Sequence, residues 1–239
     1  MKEDVEYQAL LDRLKMEAGE SAVDFLESGM VVGLGTGTTA RFALEEIGRR
    51  LKSGRLKDIV AIPSSRQTEK VAEGLGIELV TLDEFQEIDI TIDGADEVDP
   101  KLNLIKGGGG ALLREKVLAQ ISRRNVMIVD EGKLSPCLGT HWPVPIEVIP
   151  FARKPIEKYI SSLGAGVRLR IKEDGTPYST DQGNYILDGN FGPISDPHSL
   201  AAKLAYKAGI VEYGLFLGTA SDVIVAGRTG IRYLKREGA

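Results

Sequence analysis

The 239-residue chain contains one cysteine, Cys137, and two histidines, His141 and His198. One cysteine excludes an intrachain disulfide framework. Two histidines argue against a His-rich metal site and leave carboxylate-bound magnesium as the metal chemistry still open. No apolar run approaches the ~18–20 residues that span a bilayer. The charged opening MKEDVEYQALLDRLKMEAGE lacks the apolar core of a signal peptide, so the expectation is a cytoplasmic protein with no membrane partner. Basic charge is short as well: 30 Lys+Arg against 35 Asp+Glu leave a net charge of −5. That balance argues against a protein built around nucleic-acid phosphates.

What is present is ordinary for a globular chain, at 42% hydrophobic and 27% charged residues. The length fits one large domain or two modest ones. Glycine is the anomaly, at 28 residues, or about 12% against a usual ~7%. The glycines are clustered.

Apolar spacing predicts a helix over residues 5–28, with Leu10, Leu11, Leu14, Ala18, Ala22, Phe25 and Leu26 on one stripe and Ser28-Gly29 as its stop. Strands are expected at 30–35, 58–63, 77–81, 88–93 and 125–130, with helices at 38–51, 66–75 and 111–123. Nearly all-apolar strands alternating with helices indicate a Rossmann-like, mostly parallel sheet covered by helices on both faces. After Pro143 the order becomes β-α-β-β-α-β: strands at 144–149, 166–172, 184–188 and 210–217, and helices at 152–163 and from Asp196-Pro197 to about 208. That is the ferredoxin-like α+β pattern. The expected division is 1–143, with 222–239 returning to the first sheet, and 144–221 as the smaller domain.

Four polar clusters stand at strand ends. The first, GLGTGTTA at 33–40, joins a strand to a helix. Its glycines admit close backbone approach, and Thr36, Thr38 and Thr39 with the free N–H groups of a helix start favour an anion. The plainer reading is a tight turn whose threonines cap the helix. Gly35-x-Gly37-x-x-Ala40 also matches the dinucleotide fingerprint, and Ser64-Ser65-Arg66 would suit a 2′-phosphate. That reading leaves the other three clusters without a role.

The second cluster is DITIDGADE at 89–97, where Asp93 and Asp96 bracket Gly94-Ala95. The two carboxylates either converge on a ligand or form an Asx-turn with solvated charge. The third is KGGGGALLREK at 106–116. Leu113, Val117 and Ile121 form the expected core stripe of its helix, and Glu115 lies about 200° around from Leu113, leaning back toward the glycines. A carboxylate there is a candidate general base, or else a first-turn Glu complementing the helix dipole. The fourth, VDEGK at 129–133, offers Lys133 as positive charge for an anion or as a solvated surface lysine.

These clusters, in this order, together with PSSRQTEKVAEGLGI (63–77) and PVPIEVIP (143–150), resemble the A-type ribose-5-phosphate isomerases. The resemblance runs from about Gly29 to the C-terminus. It implies an aldose–ketose isomerase that interconverts D-ribose 5-phosphate and D-ribulose 5-phosphate through a cis-enediolate, in the non-oxidative pentose phosphate pathway. It implies Glu115 as the base, with Asp93, Asp96 and Lys106 as further catalytic residues. It also implies substrate binding by Thr36, Gly37, Thr38, Thr39, Asp93, Gly94, Ala95, Asp96, Lys106, Gly107, Gly108, Gly109 and Lys133. Lys15 is the best match to a lysine that approaches the substrate in some members. No metal, no cofactor and a homodimer or homotetramer are expected. Two departures stand out: Gly110 where many members have alanine, and a loop at 172–184 with no counterpart pattern. An NADP-dependent oxidoreductase and a non-catalytic sugar-phosphate sensor are the alternatives, and the acidic N-terminal helix offers the sensor no basic recognition helix.

Overall fold

The computed structural model describes residues 2–236, without the side chains of residues 2–9 and Leu11. Leu11 of the first stripe, and residues 1 and 237–239 of the expected domain spans, lie outside the described residues. In chain order the first elements are α1 (Lys2–Val23), β1 (Val31–Leu34), α2 (Thr38–Lys52), β2 (Val60–Pro63), α3 (Arg66–Leu75) and β3 (Glu78–Leu79). Then come β4 (Ile88–Gly94), β5 (Glu97–Val98), β6 (Leu104–Ile105), α4 (Leu112–Ile121), β7 (Ser122–Asp130) and β8 (Val144–Val148). The remainder are α5 (Arg153–Ser162), β9 (Gly166–Leu169), β10 (Tyr185–Asn190), α6 (Pro197–Ala205), β11 (Ile210–Tyr213), β12 (Leu215–Phe216), β13 (Asp222–Gly227) and β14 (Gly230–Lys235).

Contacts divide the chain into two compact units: Met1–Ala95, Val117–Lys133 and Thr219–Ala239 form one, Asp96–Lys116 and Leu134–Gly218 the other. The sequence division at residue 143 follows chain order. Contacts instead group 96–116 with the second unit, because β6 pairs with β12 and β5 with β6 in a small sheet of their own.

The first unit holds a seven-stranded sheet in the order β14-β13-β7-β4-β1-β2-β3, parallel except for the β13–β14 hairpin. Setting β14 aside, the strands run 3-2-1-4-5-6, the doubly wound order, and residues 222–235 do return to this sheet. The order reverses between β1 and β4, and ligands of such sheets bind beyond the carboxyl ends of the strands at that point. Val32, Leu34, Ile90, Ile92, Val126, Ile128 and Ile224 pack with Leu14, Ala18, Ala43, Leu44 and Ile47 in one core. Helix α1 stops at Val23, short of the expected residue 28, yet Leu26 still enters that core. Arg50 ties α2 to the end of α1 through Asp24 (2.6 Å) and the Glu20 and Val23 carbonyls, and is itself held by buried Glu46 one turn earlier in α2. Burial opposes ionisation of Glu46, but hydrogen bonds from Arg49 and Arg50 hold its carboxyl below the ordinary range.

The second unit carries the antiparallel sheet β11-β8-β10-β9, which is order 4-1-3-2 of a β-α-β-β-α-β chain. Val144, Ile146, Val148 and Leu187 pack with Ile156, Ile160, Leu200 and Leu204 of its helices. The run 210–217, read as one strand, is two strands in two sheets. At the break, Gly214 donates its N–H to the Pro145 carbonyl (2.7 Å) and accepts from the Lys106 N–H (2.9 Å). This crossing fixes the backbone at the start of the glycine run.

Candidate active site

At the switch point of the first unit, Gly35 passes so close to β4 that a Cβ on it would lie 2.2 Å from Asp93 Oδ1 and 2.5 Å from Asp93 Cα. Only glycine fits there. The buried Asp93 carboxylate accepts from the Thr36 N–H (3.1 Å) and the Gly94 N–H (2.7 Å), and so holds the loop to the strand end. Thr36 Oγ1 joins a hydroxyl cluster with Ser64 (2.7 Å), Ser65 (2.8 Å) and Thr68 (3.0 Å). Its hydroxyl is therefore turned into the loop's own framework. Gly37 is the N-cap of α2 at φ 115°, makes no side-chain cap, and no acidic residue occupies the first turn. The helix start with Thr38 exposed and Thr39 half-buried is thus the part of the loop open to an anion. Ser65 caps α3 by accepting from the Thr68 N–H (3.0 Å), and Ser64 is buried. The two serines that a 2′-phosphate would need are already used, which removes the main support for the dinucleotide reading.

On the same unit, Lys15 pairs with Asp130 at 3.6 Å, both side chains being less than one-fifth exposed. Asp130 ends β7, and Lys133 follows in the 3-10 turn Glu131–Lys133.

In the second unit, Asp96 turns to the glycine run: its Oδ2 accepts from the Gly108 N–H (2.7 Å). Asp93 and Asp96 thus serve different loops, each as a backbone anchor. Lys106 and Glu115 are both buried, at 3% and 4% exposure, with Nζ and Oε1 3.5 Å apart. Removing two charges from water is costly, so such a pair adds little net stability by itself. The Lys106 ammonium also lies 5.5 Å from the centre of the Phe216 ring. On the ring's account with Lys116 the distance is 4.8 Å, and Lys116 is bound by Glu212 (2.6 Å) and the Tyr213 carbonyl. Burial pushes the Lys116 ammonium below its ordinary range, against the pull of Glu212.

Helix α4 differs from its expected packing. Leu113, Val117 and Ile121 are only half-buried, whereas Leu112, Glu115, Lys116 and Ala119 are buried. The charged residues sit on the buried face, so apolar periodicity points to the wrong stripe. Functional sites are where such local rules break.

Several framework residues carry no local signal in the sequence. Arg170 bridges Asp188 to the Gly107 and Gly108 carbonyls (2.8 and 3.0 Å). Tyr178 reaches the Gly109 carbonyl (3.2 Å) from the 172–184 loop. That loop explains Gly110: at φ 82° a Cβ would fall 2.2 Å from the Tyr178 hydroxyl. Glu97, fully buried, accepts from the N–H groups of Gly139, Thr140 and His141. The expected strand 184–188 contains Asp188 and the second cluster ends at Glu97, but only the fold brings their partners. Among the described residues no three His, Cys, Asp or Glu side chains gather to hold a metal ion, and no helix is long and apolar enough to cross a membrane.

The family model for ribose 5-phosphate isomerase A (phosphoriboisomerase A) matches residues 60–230. The chain belongs to this family. It is 57% identical over 224 residues to the ribose-5-phosphate isomerase A of Desulfatibacillum aliphaticivorans, covering 94% of this chain and 97% of the relative. The protein of the same description from Chloroflexus aurantiacus is 52% identical, with 92% of each chain covered. Among solved structures, a D-ribose-5-phosphate isomerase in complex with phospho-erythronic acid superposes with a TM-score of 0.92 at 41% identity, covering 94% of this chain and 98% of that one. The ribose 5-phosphate isomerase of Plasmodium falciparum gives the same TM-score at 40% identity, with 95% and 99% covered. Family membership confirms the resemblance and the two-part α/β architecture.

Proposed function

We propose that the chain is an isomerase interconverting D-ribose 5-phosphate and D-ribulose 5-phosphate. The observation that carries the mechanism is the buried pair of Lys106, just after β6, and Glu115, in the first turn of α4. Isomerisation moves one proton from C2 to C1 of the open-chain sugar and is redox-neutral overall. Glu115 takes the C2 proton, the C2–H electrons form the enediolate double bond, and negative charge settles on the C1 oxygen. Lys106 and an N–H of the glycine run not committed to Asp96 or to the run's own turn stabilise that oxygen by preorganised electrostatics. The proton then returns to C1, and the hydroxyl proton passes between the two oxygens. Asp93 and Asp96 serve the hydroxyl protons and ring opening, and both are rigidly hydrogen-bonded to glycine-loop backbone. Thr38, Thr39 and the start of α2 take the phosphate, with Gly37 giving the backbone its turn and Thr36 holding the loop in shape. Lys133 supplies positive charge that the chain as a whole, at −5, does not, and Lys15, offset by Asp130, contributes ammonium donors more than net charge.

The reading includes a homodimer or homotetramer in the cytoplasm. Support for self-association is the exposure of Phe151 and Tyr206, each more than nine-tenths accessible. The test is a coupled assay of ribose 5-phosphate isomerisation in excess EDTA. Turnover at the same rate with and without EDTA is expected. Activity lost on chelation and restored by magnesium or manganese overturns the metal-free mechanism, and no turnover in either condition overturns the activity.

A further inference from the structure

We infer that Arg170, held by Asp188, is a positioning residue that aims the Gly109 N–H at the oxyanion of the reaction. The inference rests on the proposed isomerase reading and adds to it a residue outside the four sequence clusters.

Arg170 follows β9, and its backbone is fixed on both sides. Its N–H donates to the Ile186 carbonyl (2.9 Å), and its own carbonyl accepts from the Tyr178 N–H (2.9 Å). The guanidinium is committed in the same way. Nε and Nη2 face the two oxygens of Asp188, a two-point contact made from β10, and Nη1 donates to the Gly107 carbonyl at 2.8 Å and the Gly108 carbonyl at 3.0 Å. Both side chains are less than one-fifth exposed.

The consequence follows from peptide planarity. In a trans peptide the N–H points opposite the carbonyl of the same unit, and no cis bond occurs among the described residues. Drawing the Gly107 carbonyl to Arg170 sends the Gly108 N–H the other way, where Asp96 Oδ2 takes it at 2.7 Å. Drawing the Gly108 carbonyl to Arg170 likewise sends the Gly109 N–H away from the guanidinium. No hydrogen bond joins that N–H to another described residue, and Gly109 is exposed. The Gly110 N–H donates to the Gly107 carbonyl (3.0 Å) and closes a turn, but glycines have no side chains to fix the central Gly108–Gly109 plane, so its orientation is imposed from outside. A fork with three separately directed nitrogens does this, and a lysine ammonium cannot hold both a bidentate carboxylate and two carbonyls in one geometry.

The test compares wild type with Arg170→Lys, Asp188→Asn and Arg170→Ala, reading kcat, KM, and inhibition by phospho-erythronic acid and by inorganic phosphate. A carboxylate resembles the enediolate in carrying planar anionic oxygens, whereas inorganic phosphate probes the phosphate loop alone. For Arg170→Lys, kcat is expected to fall about 10²-fold, the scale of one lost oxyanion donor, with KM nearly unchanged. Affinity for phospho-erythronic acid should fall with kcat while inhibition by phosphate stays at the wild-type level. Asp188→Asn should show the same pattern at smaller size, and guanidinium ion at millimolar concentration should restore part of the kcat of Arg170→Ala. Wild-type kcat in Arg170→Lys overturns the inference, as does equal weakening of both inhibitors, which marks a general defect of folding. If Arg170→Ala does not fold, the lysine and asparagine variants decide alone. Failure of the parent reading looks different, because wild type itself then fails to isomerise ribose 5-phosphate.

Discussion

The loop at 33–40 surrounds itself with buried hydroxyls, while the run at 106–110 leads into buried charge. Both are glycine-rich and both lie between a strand and a helix start. In the first, Thr36, Ser64, Ser65 and Thr68 satisfy one another, which leaves a neutral, rigid loop under the helix start. Such a loop suits a charge that arrives with the ligand and stays constant. In the second, Lys106 and Glu115 are held against each other out of water, and the glycine planes are pinned by Asp96 and Arg170. That arrangement suits a charge that appears and disappears during the reaction. Binding a permanent anion needs donors; handling a transient one needs donors fixed beforehand.

The comparison breaks most sharply at Glu115. Glu115→Gln keeps size and helix propensity but removes the basic oxygen, so kcat should fall by at least ~10²–10⁴-fold with the fold intact. Circular dichroism checks the fold, and exchange of the C2 proton with deuterated solvent checks the chemistry. Exchange at the wild-type rate would move the base elsewhere, with Asp93 or Asp96 next to test.

The first loop predicts a different signature. Thr39→Ala and Lys133→Ala should chiefly raise KM and leave kcat close to wild type, because contacts to the unreacting phosphate persist through the reaction. Steady-state kinetics on ribose 5-phosphate checks this. A variant that loses kcat while keeping KM would place its residue with the transient charge instead.

The smallest effect is expected at Glu147, a fully buried carboxylate of β8 that neither loop uses. Burial pushes its carboxyl above the ordinary range, with Glu212 and Asp181 adding to the rise, although Asn184 and Thr180 donate to it. A carboxyl raised in the folded state destabilises the protein as pH climbs past the unfolded value, and this cost is absent below it. Glu147→Gln retains an acceptor for Asn184 and Thr180, so its Tm relative to wild type should increase from pH 4 to pH 8. A Tm difference that is flat or falls over that range would show that Glu147 is not the buried charge bearing this cost.

The legibility of the two loops also differs. The glycines of 33–40 and the helix start of α2 are contiguous in sequence, Asp93 is marked by its own strand end, and the chemistry of each is local: close approach, a dipole, hydroxyl donors. Glu115 was legible as a carboxylate beside glycines, but its burial was not. Periodicity assigns burial to the most apolar stripe, and α4 buries Glu115 and Lys116 instead of the Leu113–Val117–Ile121 stripe. The break at Gly214 was hidden for a similar reason, since one apolar run of strand length reads the same whether it serves one sheet or two.

By itself the sequence determined the alternation of strands and helices, the parallel-sheet half, the β-α-β-β-α-β half and the four clusters, because period and turn chemistry act over a few residues. Only the tertiary structure decided that 96–116 packs with the second unit, that Asp93 and Asp96 anchor different loops, and that Arg170, 62 residues from Gly108, pins the glycine planes. Those contacts join residues far apart in the chain. Which polar partners meet there depends on how the sheets pair and where the chain crosses between them, and no local pattern encodes that.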